Sequence, residues 1–198
     1  MNNIGRLIIA IVIPLLVGFT SGFFTSTGPG TWYQALEKPT WNPLGRVFAP
    51  VWMTLYVMMG VSLFFIWKTN LVTNKKRVAL FLFAFQLVLN FFWSFIFFRL
   101  EKPGWAAAEI TILWLSILAT IFSFASINKL SAWLLVPYIS WVTFAAILNY
   151  TIWSMNNWRK VFNVFVRRNH PSLSNDFFWS YQRLGSKKLL PGFLENFF

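Results

Sequence analysis

The residues with the most distinctive chemistry are tryptophans and prolines that alternate in the first third of the chain. Trp32, Trp41 and Trp52 are interleaved with Pro39 and Pro43, so rigid turns should present large flat side chains. From Trp52 onward, apolar residues recur at helical spacing and extend this aromatic face along a helix. The pattern predicts a wall against which a flat hydrophobic ligand could lie.

Conventional catalytic constellations are absent from the sequence. There is no HExxH motif, no Gly-rich phosphate loop and no carboxylate pair, and the single histidine, His170, follows the last apolar run. Cysteine is absent as well, which excludes disulfides and thiolate metal sites. We therefore expect no bound metal and no cofactor, while the residues leave open whether the protein is an enzyme.

The composition is that of an integral membrane protein. Of 198 residues, 57% are hydrophobic and 11% are charged, which is more apolar material than one soluble core of this length can use. The net charge of +12 raises nucleic acid as a partner. However, the basic residues occupy short loops and the C-terminal tail, a pattern typical of lipid headgroup contact. We expect the bilayer, and no nucleic acid, as the partner of these charges.

Apolar runs predict an all-α membrane protein, a five-transmembrane-helix bundle with a long ordered loop between helices 1 and 2. Proline at 39, 43 and 50 should exclude regular helix from residues 28–50, which we assign to that extramembrane loop. A cleaved signal peptide is the competing interpretation of the first run, but an A-x-A-like exit is missing. The predicted transmembrane domain covers residues 1–156, with helices at about 7–24, 50–67, 78–98, 105–127 and 131–153.

Small residues and one proline suggest how these helices pack. Gly18 and Gly22 form a GxxxG pair that would let another helix approach closely. Pro137 should kink the fifth helix near its start. On that helix, Trp141 and Ala145 share a face, so an aromatic side chain is followed by a gap.

Two polar features lie inside the predicted spans. Gln86, Asn90 and Ser94 are spaced four residues apart and form a stripe on the third helix. They either hydrogen-bond to neighbouring helices or also offer polar contacts to a ligand. Glu109 is the only acid within a span, and it either relays protons or, in the preferred interpretation, stabilises the positive end of its helix or pairs with a loop cation.

Ordered motifs spread over four segments resemble the translocator protein family, also called tryptophan-rich sensory proteins. The motifs are Trp32-Tyr33, Lys38-Pro39-x-Trp41-x-Pro43, Phe48-x-Pro50-Val51-Trp52, Gln86-Leu87-x-Leu89-Asn90-x-x-Trp93-Ser94, Pro137-Tyr138-x-x-Trp141 and Phe144-Ala145. The family resemblance implies five transmembrane helices, often in a homodimer. It also implies a pocket for porphyrins such as protoporphyrin IX and for other planar hydrophobic ligands.

The resemblance also assigns residues to the pocket. Carried over position by position, it implies a lining made of Tyr33, Pro43, Trp52, Asn90, Trp93, Trp141, Ala145 and Leu148. Some bacterial members degrade protoporphyrin in light, and in that case Trp52 and Trp141 would be the catalytic residues. A departure from the family pattern WxPPxW places Arg46 where a tryptophan is usual. We add Arg46 to the ligand-binding set, because its guanidinium could pair with a porphyrin propionate. The alternative is that Arg46 is a charge facing solvent or lipid headgroups, since the loop lies at the membrane surface.

These observations predict a receptor-like membrane protein that binds porphyrins in an aromatic pocket and has a regulatory or stress-sensing role in tetrapyrrole handling. A transporter of porphyrin or small lipophiles, and a light-dependent porphyrin-degrading enzyme, are the alternatives.

Residues 157–198 form a basic, aromatic tail without an apolar run long enough to span, so we expect them to lie on the membrane surface or to be disordered. The distribution of basic residues favours a cytoplasmic C-terminus when the tail is counted.

Overall fold

The computed structural model describes residues 2–28, 30–70 and 74–169, with side chains described up to Asn157. The described residues form helices and connecting turns, without a strand among them. The helices are α1 (Asn3–Gly22), α2 (Trp32–Ala35), α3 (Gly45–Lys68), α4 (Asn74–Ser94), a π-helix (Phe95–Arg99), α5 (Pro103–Ala125), α6 (Lys129–Leu134) and α7 (Val136–Asn169).

The predicted all-α membrane bundle is confirmed. Among the described residues, five helical segments are long and apolar enough to cross a membrane. Four of them are α1, α3, α4 with its π-helix, and α5, while α6 and the first part of α7 together make the fifth segment, Lys129–Asn157. Large apolar side chains cover the outer surface of these segments, as expected for helices whose solvent is lipid.

The predicted loop limit at Pro50 is wrong, because α3 begins five residues earlier, at Gly45. Pro50 is the sixth residue of this helix, where its missing N–H removes one hydrogen bond close to an end that already has unpaired groups. The apolar periodicity that follows therefore extends across the proline. The loop spans residues 23–44 and is partly helical itself, since α2 lies within it.

The fifth span also departs from its predicted limits. It is interrupted at Leu135, directly before the Val136–Pro137 step, which agrees with the expected effect of Pro137. Its predicted end at Trp153 is wrong, because α7 continues to Asn169. The first residues of the predicted tail are thus helical, and the remainder of the tail lies outside the described residues.

The half of the bundle remote from the loop is a packed core. Phe83 of α4 stacks on Phe124 of α5 with ring centroids 5.7 Å apart. Ser62 of α3 and Ser131 of α6 are both buried, and each hydroxyl donates to the other residue's carbonyl, at 2.8 and 3.1 Å. Reciprocal bonds of this kind satisfy both side chains without water and hold the two helices in register.

Candidate functional site

A cavity of about 560 Å³ occupies the half of the bundle that faces the loop. It is bordered by α1, α3, α4, the π-helix, α7 and the loop, and its size is within the range of small-molecule sites. Eight of its side chains are aromatic rings with broad apolar faces: Phe19, Tyr33, Phe48, Trp52, Tyr56, Trp93, Phe97 and Phe98.

Two stacked aromatic pairs form walls of the cavity. Trp52 lies on Tyr56 with ring centroids 5.5 Å apart and planes inclined by 26°. Trp93 lies on Phe97 at 5.5 Å and 27°. These near-parallel pairs come from α3 and from the end of α4, and each offers a flat surface of the kind a planar ring system can stack against.

A chain of hydrogen bonds supports one wall from behind. The Tyr56 hydroxyl donates to Asn90 Oδ1 at 2.7 Å, and Asn90 Nδ2 donates to the Tyr138 hydroxyl at 3.2 Å. The Tyr138 hydroxyl donates in turn to Gln86 Oε1 at 2.8 Å. The predicted stripe on α4 therefore joins α3 and α7, and Asn90 also borders the cavity, so both interpretations of that residue are compatible with the structure.

Trp93 is held in place by a second set of hydrogen bonds. Its indole N–H donates to Asn149 Oδ1 at 3.0 Å, and Asn149 Nδ2 donates to the Pro103 carbonyl at 2.8 Å. Asn149 thus links the end of α4 to the start of α5 through α7. A tryptophan fixed in this way costs little conformational entropy when a ligand stacks on it.

The loop closes the cavity at the end that faces the aqueous phase. Tyr33 is buried against Phe98 at 5.5 Å between ring centroids, and its hydroxyl donates to Asn42 Oδ1 at 3.2 Å. Burial raises the pKa of the Tyr33 phenol, while the bond to Asn42 opposes that rise. Trp32 packs edge-on against Phe97 at 5.8 Å.

The Lys38 side chain stabilises the conformation of this loop by bonding to the loop backbone. Its ammonium donates to the carbonyl oxygens of Tyr33, Gln34 and Leu36, at 2.6, 3.2 and 3.0 Å. It also lies 4.7 Å from the centre of the Tyr33 ring. Burial lowers the pKa of the Lys38 ammonium. Because three carbonyls already occupy its donors, Lys38 serves to cap α2 and position Tyr33.

The structure brings together six of the nine residues assigned to the pocket from the sequence. Those that border the cavity are Tyr33, Trp52, Asn90, Trp93, Ala145 and Leu148. Pro43, Arg46 and Trp141 are not among the lining residues. Arg46 is exposed in the first turn of α3, beside Gly45, which does border the cavity.

Trp141 lies one layer behind the wall. Its ring packs against Phe48 at 6.0 Å and Phe144 at 5.4 Å, and its indole N–H is buried without a hydrogen-bond partner. Since Phe48 borders the cavity, Trp141 supports the wall through that ring.

Sequence reasoning missed the contribution of α1. Leu15, Gly18, Phe19 and Ser21 border the cavity, and Ser21 is buried. Gly18 and Gly22, the pair that the sequence marked as a site of helix contact, also border the cavity, but a pair of small residues predicts close helix approach and does not predict a cavity. Tyr56 and Phe97 were also overlooked as lining, although both belong to aromatic positions at helical spacing.

Glu109 does not have the ion-pair partner that the sequence suggested. It is the seventh residue of α5 and is 9% exposed, and both carboxyl oxygens are buried without a hydrogen-bond partner. The interpretation that it pairs with a loop cation is therefore wrong.

No group of three or more metal-binding side chains occurs among the described residues. The expectation that the protein holds no metal remains a prediction, since His170 lies outside them.

Comparison with known proteins identifies the family to which this bundle belongs. The model of the TspO/MBR family matches residues 10–154, which include every residue that borders the cavity. The chain belongs to the TspO/MBR family. As a member, it is a multi-pass integral membrane protein, and the family supports a receptor-like role in the membrane.

Relatives in the TspO/MBR family come from bacteria and animals. A tryptophan-rich protein TspO from Chlorobaculum tepidum is 41% identical over 155 residues, which is 78% of this chain and 98% of the relative. The translocator protein of Bos taurus is 36% identical over 150 residues, which is 75% of this chain and 89% of the relative. Protein CrtK of Rhodobacter capsulatus is 35% identical over 139 residues, covering 70% of this chain and 85% of the relative.

Proposed function

We propose that the cavity binds a planar hydrophobic small molecule, and specifically a metal-free porphyrin such as protoporphyrin IX, in a receptor that reports on tetrapyrrole levels. The observation that carries this proposal is the pair of flat aromatic walls, Trp52 on Tyr56 and Trp93 on Phe97. A planar ring system gains both apolar burial and stacking against such walls. The resemblance to the family implies porphyrins as ligands, and it does so independently of this geometry.

The cavity lining offers few side chains that could serve as axial ligands to a porphyrin-bound metal. The hydroxyls of Tyr33 and Tyr56 already donate to Asn42 and Asn90, so neither can serve as an axial ligand without losing a bond. The thioether of Met53 is then the one uncommitted axial donor on the lining, with no lining histidine or cysteine to accompany it. We therefore expect metal-free porphyrin to bind at least as tightly as haem. No cofactor is required for this function.

The packed half of the bundle favours a receptor function over transport of the ligand across the membrane. Beneath the cavity, Leu63, Phe83 and Phe124 are buried in one continuous core. A ligand that enters the cavity meets this floor, and crossing the bilayer through the bundle would require the core to open. Transport remains the first alternative to reception, and photodegradation by Trp52 and Trp141 the second.

The test is a titration of the purified protein with protoporphyrin IX, followed by quenching of tryptophan fluorescence. Ala145→Leu adds three carbons at a buried lining position, and overpacking of a well-packed site costs about 1–3 kcal/mol. Affinity should therefore fall by about 5-fold to 150-fold. Ala84→Leu adds the same volume at an exposed position of α4 and should bind as the wild type does.

Three outcomes decide between the candidates. Absence of quenching in the wild type, or equal affinities for the two variants, would reject binding in this cavity. Bleaching of bound protoporphyrin in light but not in darkness, lost in Trp52→Phe, would favour the enzyme. Flux of porphyrin across proteoliposomes, in excess of protein-free vesicles, would favour the transporter.

A further inference from the structure

Helices α1 and α3 are pressed together at one end and separate towards the other. A Cβ atom added at Gly60 would overlap the backbone of Ile11 and lie 2.8 Å from the Ala10 carbonyl oxygen, so the two backbones are in direct contact there. Two turns further along α1, a Cβ at Gly18 would instead overlap the ring of Tyr56. At Gly22, a Cβ would meet nothing within 4 Å. The space between the helices thus widens towards the loop.

The edges of this space border the cavity and are exposed. On α1 the exposed lining residues are Phe19 and Gly22, and on α3 they are Gly45, Ala49 and Met53. The α3 residues are four apart and share one face over eight positions, which is a length of about 12 Å at the helical rise. Both edges belong to segments long and apolar enough to span a membrane. The opening therefore faces the hydrocarbon of the bilayer, starting at the helix ends.

The opposite route, through the loop, is obstructed. Tyr33 packs on Phe97 and Phe98, with centroids 6.2 and 5.5 Å away, and Lys38 fixes the loop backbone by three hydrogen bonds. For a ligand to pass from water, these contacts would have to break. Between α1 and α3, by contrast, the flexible side chain of Met53 and the rings at the end of α1 are the principal obstacles.

From this contrast we infer that the ligand enters and leaves the cavity sideways from the bilayer, through an opening between α1 and α3 whose width is kept by Gly22 and Ala49. The inference rests on the proposed function in that it concerns the same cavity. It assigns the ligand to molecules that partition into the hydrocarbon before they bind. It also makes Gly22 and Ala49 determinants of the rate of exchange.

The first experiment measures rates in proteoliposomes by stopped-flow quenching with protoporphyrin IX. Ala49→Leu and Gly22→Leu should each slow association by about tenfold, equivalent to an added barrier of about 1.4 kcal/mol, and should slow dissociation as well. Slower dissociation is the decisive readout, because a variant that only weakened binding would release the ligand faster. Neither position is crowded, so both variants should fold. Ala84→Leu is the matched control on another lipid-facing helix and should exchange at the wild-type rate.

A second variant tests the competing route. Lys38→Ala removes the fastening of the loop and should leave both rates as they are if the ligand travels through the bilayer. Faster exchange in Lys38→Ala, together with wild-type rates in Ala49→Leu and Gly22→Leu, would overturn the inference and establish entry through the loop.

A third measurement does not depend on porphyrin binding. The chain lacks cysteine, so Ala145→Cys places a single thiol in the cavity. A pyrene maleimide dissolved in the bilayer should modify this thiol, and adding Ala49→Leu should slow the modification while adding Ala84→Leu should not. If the wild type fails to bind protoporphyrin, the proposed function fails, and the thiol rates still decide the route. Equal modification rates in the two double variants would reject the lateral opening.

Discussion

At the scale of single residues, the amides and hydroxyls inside the membrane determine how the cavity wall is held. Asn90 is 3% exposed and accepts from Tyr56 while donating to Tyr138, so it connects three helices. In lipid, where water cannot replace a missing partner, such side chains restrict which helix arrangements are stable. The wall is therefore already ordered before a ligand arrives, which lowers the entropic cost of binding.

Tyr138→Phe should destabilise the protein more than Tyr56→Phe. Tyr138 is completely buried, and its loss would leave both Gln86 Oε1 and Asn90 Nδ2 without that partner, at a cost of about 1–3 kcal/mol. In Tyr56→Phe only Asn90 Oδ1 loses a partner, so the loss should be smaller. The measurement is the thermal midpoint in detergent. Tyr150→Phe is the control, because its bond to Thr111 lies on the exposed surface. An equal drop of the thermal midpoint in Tyr150→Phe would mean that the buried hydrogen-bond chain contributes no more than a surface hydrogen bond.

Arg46→Ala should weaken the binding of protoporphyrin IX but not the binding of its dimethyl ester, in which both carboxylates are blocked. Arg46 lies beside Gly45 at the mouth of the cavity, within the first turn of α3, where a cation does not complement the helix dipole. A propionate at the mouth could accept two hydrogen bonds from the Arg46 guanidinium. A surface pair of this type contributes about 0.2–1 kcal/mol to the binding free energy. Quenching titrations with both compounds measure the difference. Equal losses for acid and ester would show that Arg46 shapes the loop.

At the scale of helices, the contact of α1 with α3 depends on a glycine that faces backbone. Gly60 is completely enclosed by Ala10 and Ile11, whereas the Gly18–Gly22 pair, which the GxxxG pattern singled out, faces a ring at one position and open space at the other. Close approach at Gly60 and the opening near Gly22 are two ends of the same helix pair. The helix pair is therefore least tolerant of an added side chain at Gly60.

Gly60→Ala should lower the stability, while Gly22→Ala should not. The Ala10 carbonyl and the Ile11 backbone cannot rotate away from a new methyl group, so α1 must shift, at a cost of about 1–3 kcal/mol. Gly22→Ala meets no atom and gains helix propensity, up to about 1 kcal/mol. Thermal midpoints of the two variants in the same detergent test this. Similar midpoints would show that α1 adjusts without strain.

At the scale of the whole molecule, the bundle has one hollow half and one packed half. The cavity lies beside the loop, and the core around Phe83, Ile117 and Phe124 fills the other half. This asymmetry places any ligand nearer to one face of the membrane than to the other. Which face that is depends on the orientation, so orientation bears directly on what the protein could report. Homodimer formation stays a prediction at this scale.

The C-terminus should be cytoplasmic. The described residues contain five spans and the tail sequence has no further apolar run long enough to span, so the termini should lie on opposite sides; basic residues of short loops favour the cytoplasm. Counting the tail as far as Arg168, eight basic residues share the C-terminal side, against six on the N-terminal side. The eight are Lys38, Arg46, Arg99, Lys102, Arg159, Lys160, Arg167 and Arg168. A C-terminal fusion to a protein that fluoresces only in the cytoplasm should be bright, and an N-terminal fusion dark. The reverse pattern would mean that the basic residues of the loops, and not those of the tail, determine the orientation.

The number of spans, and the helix that bears the polar stripe, could be read from the sequence. Both are local properties: a run of about twenty apolar residues must cross the bilayer, and residues four apart must share a helix face. Asn90 and Trp93 were assigned to the pocket for this reason together with the family motifs, and the structure places both at the cavity.

Only the tertiary structure decided which of several apolar faces turns inward. Trp141 has the same side chain as Trp52, yet it packs behind Phe48, which borders the cavity while Trp141 does not. The spacing of Gly18 and Gly22 marked a site of helix contact on α1, and only the structure shows that this face borders the cavity. In lipid, hydrophobicity does not distinguish the inside of a bundle from its outside, and the fit between helices makes that choice.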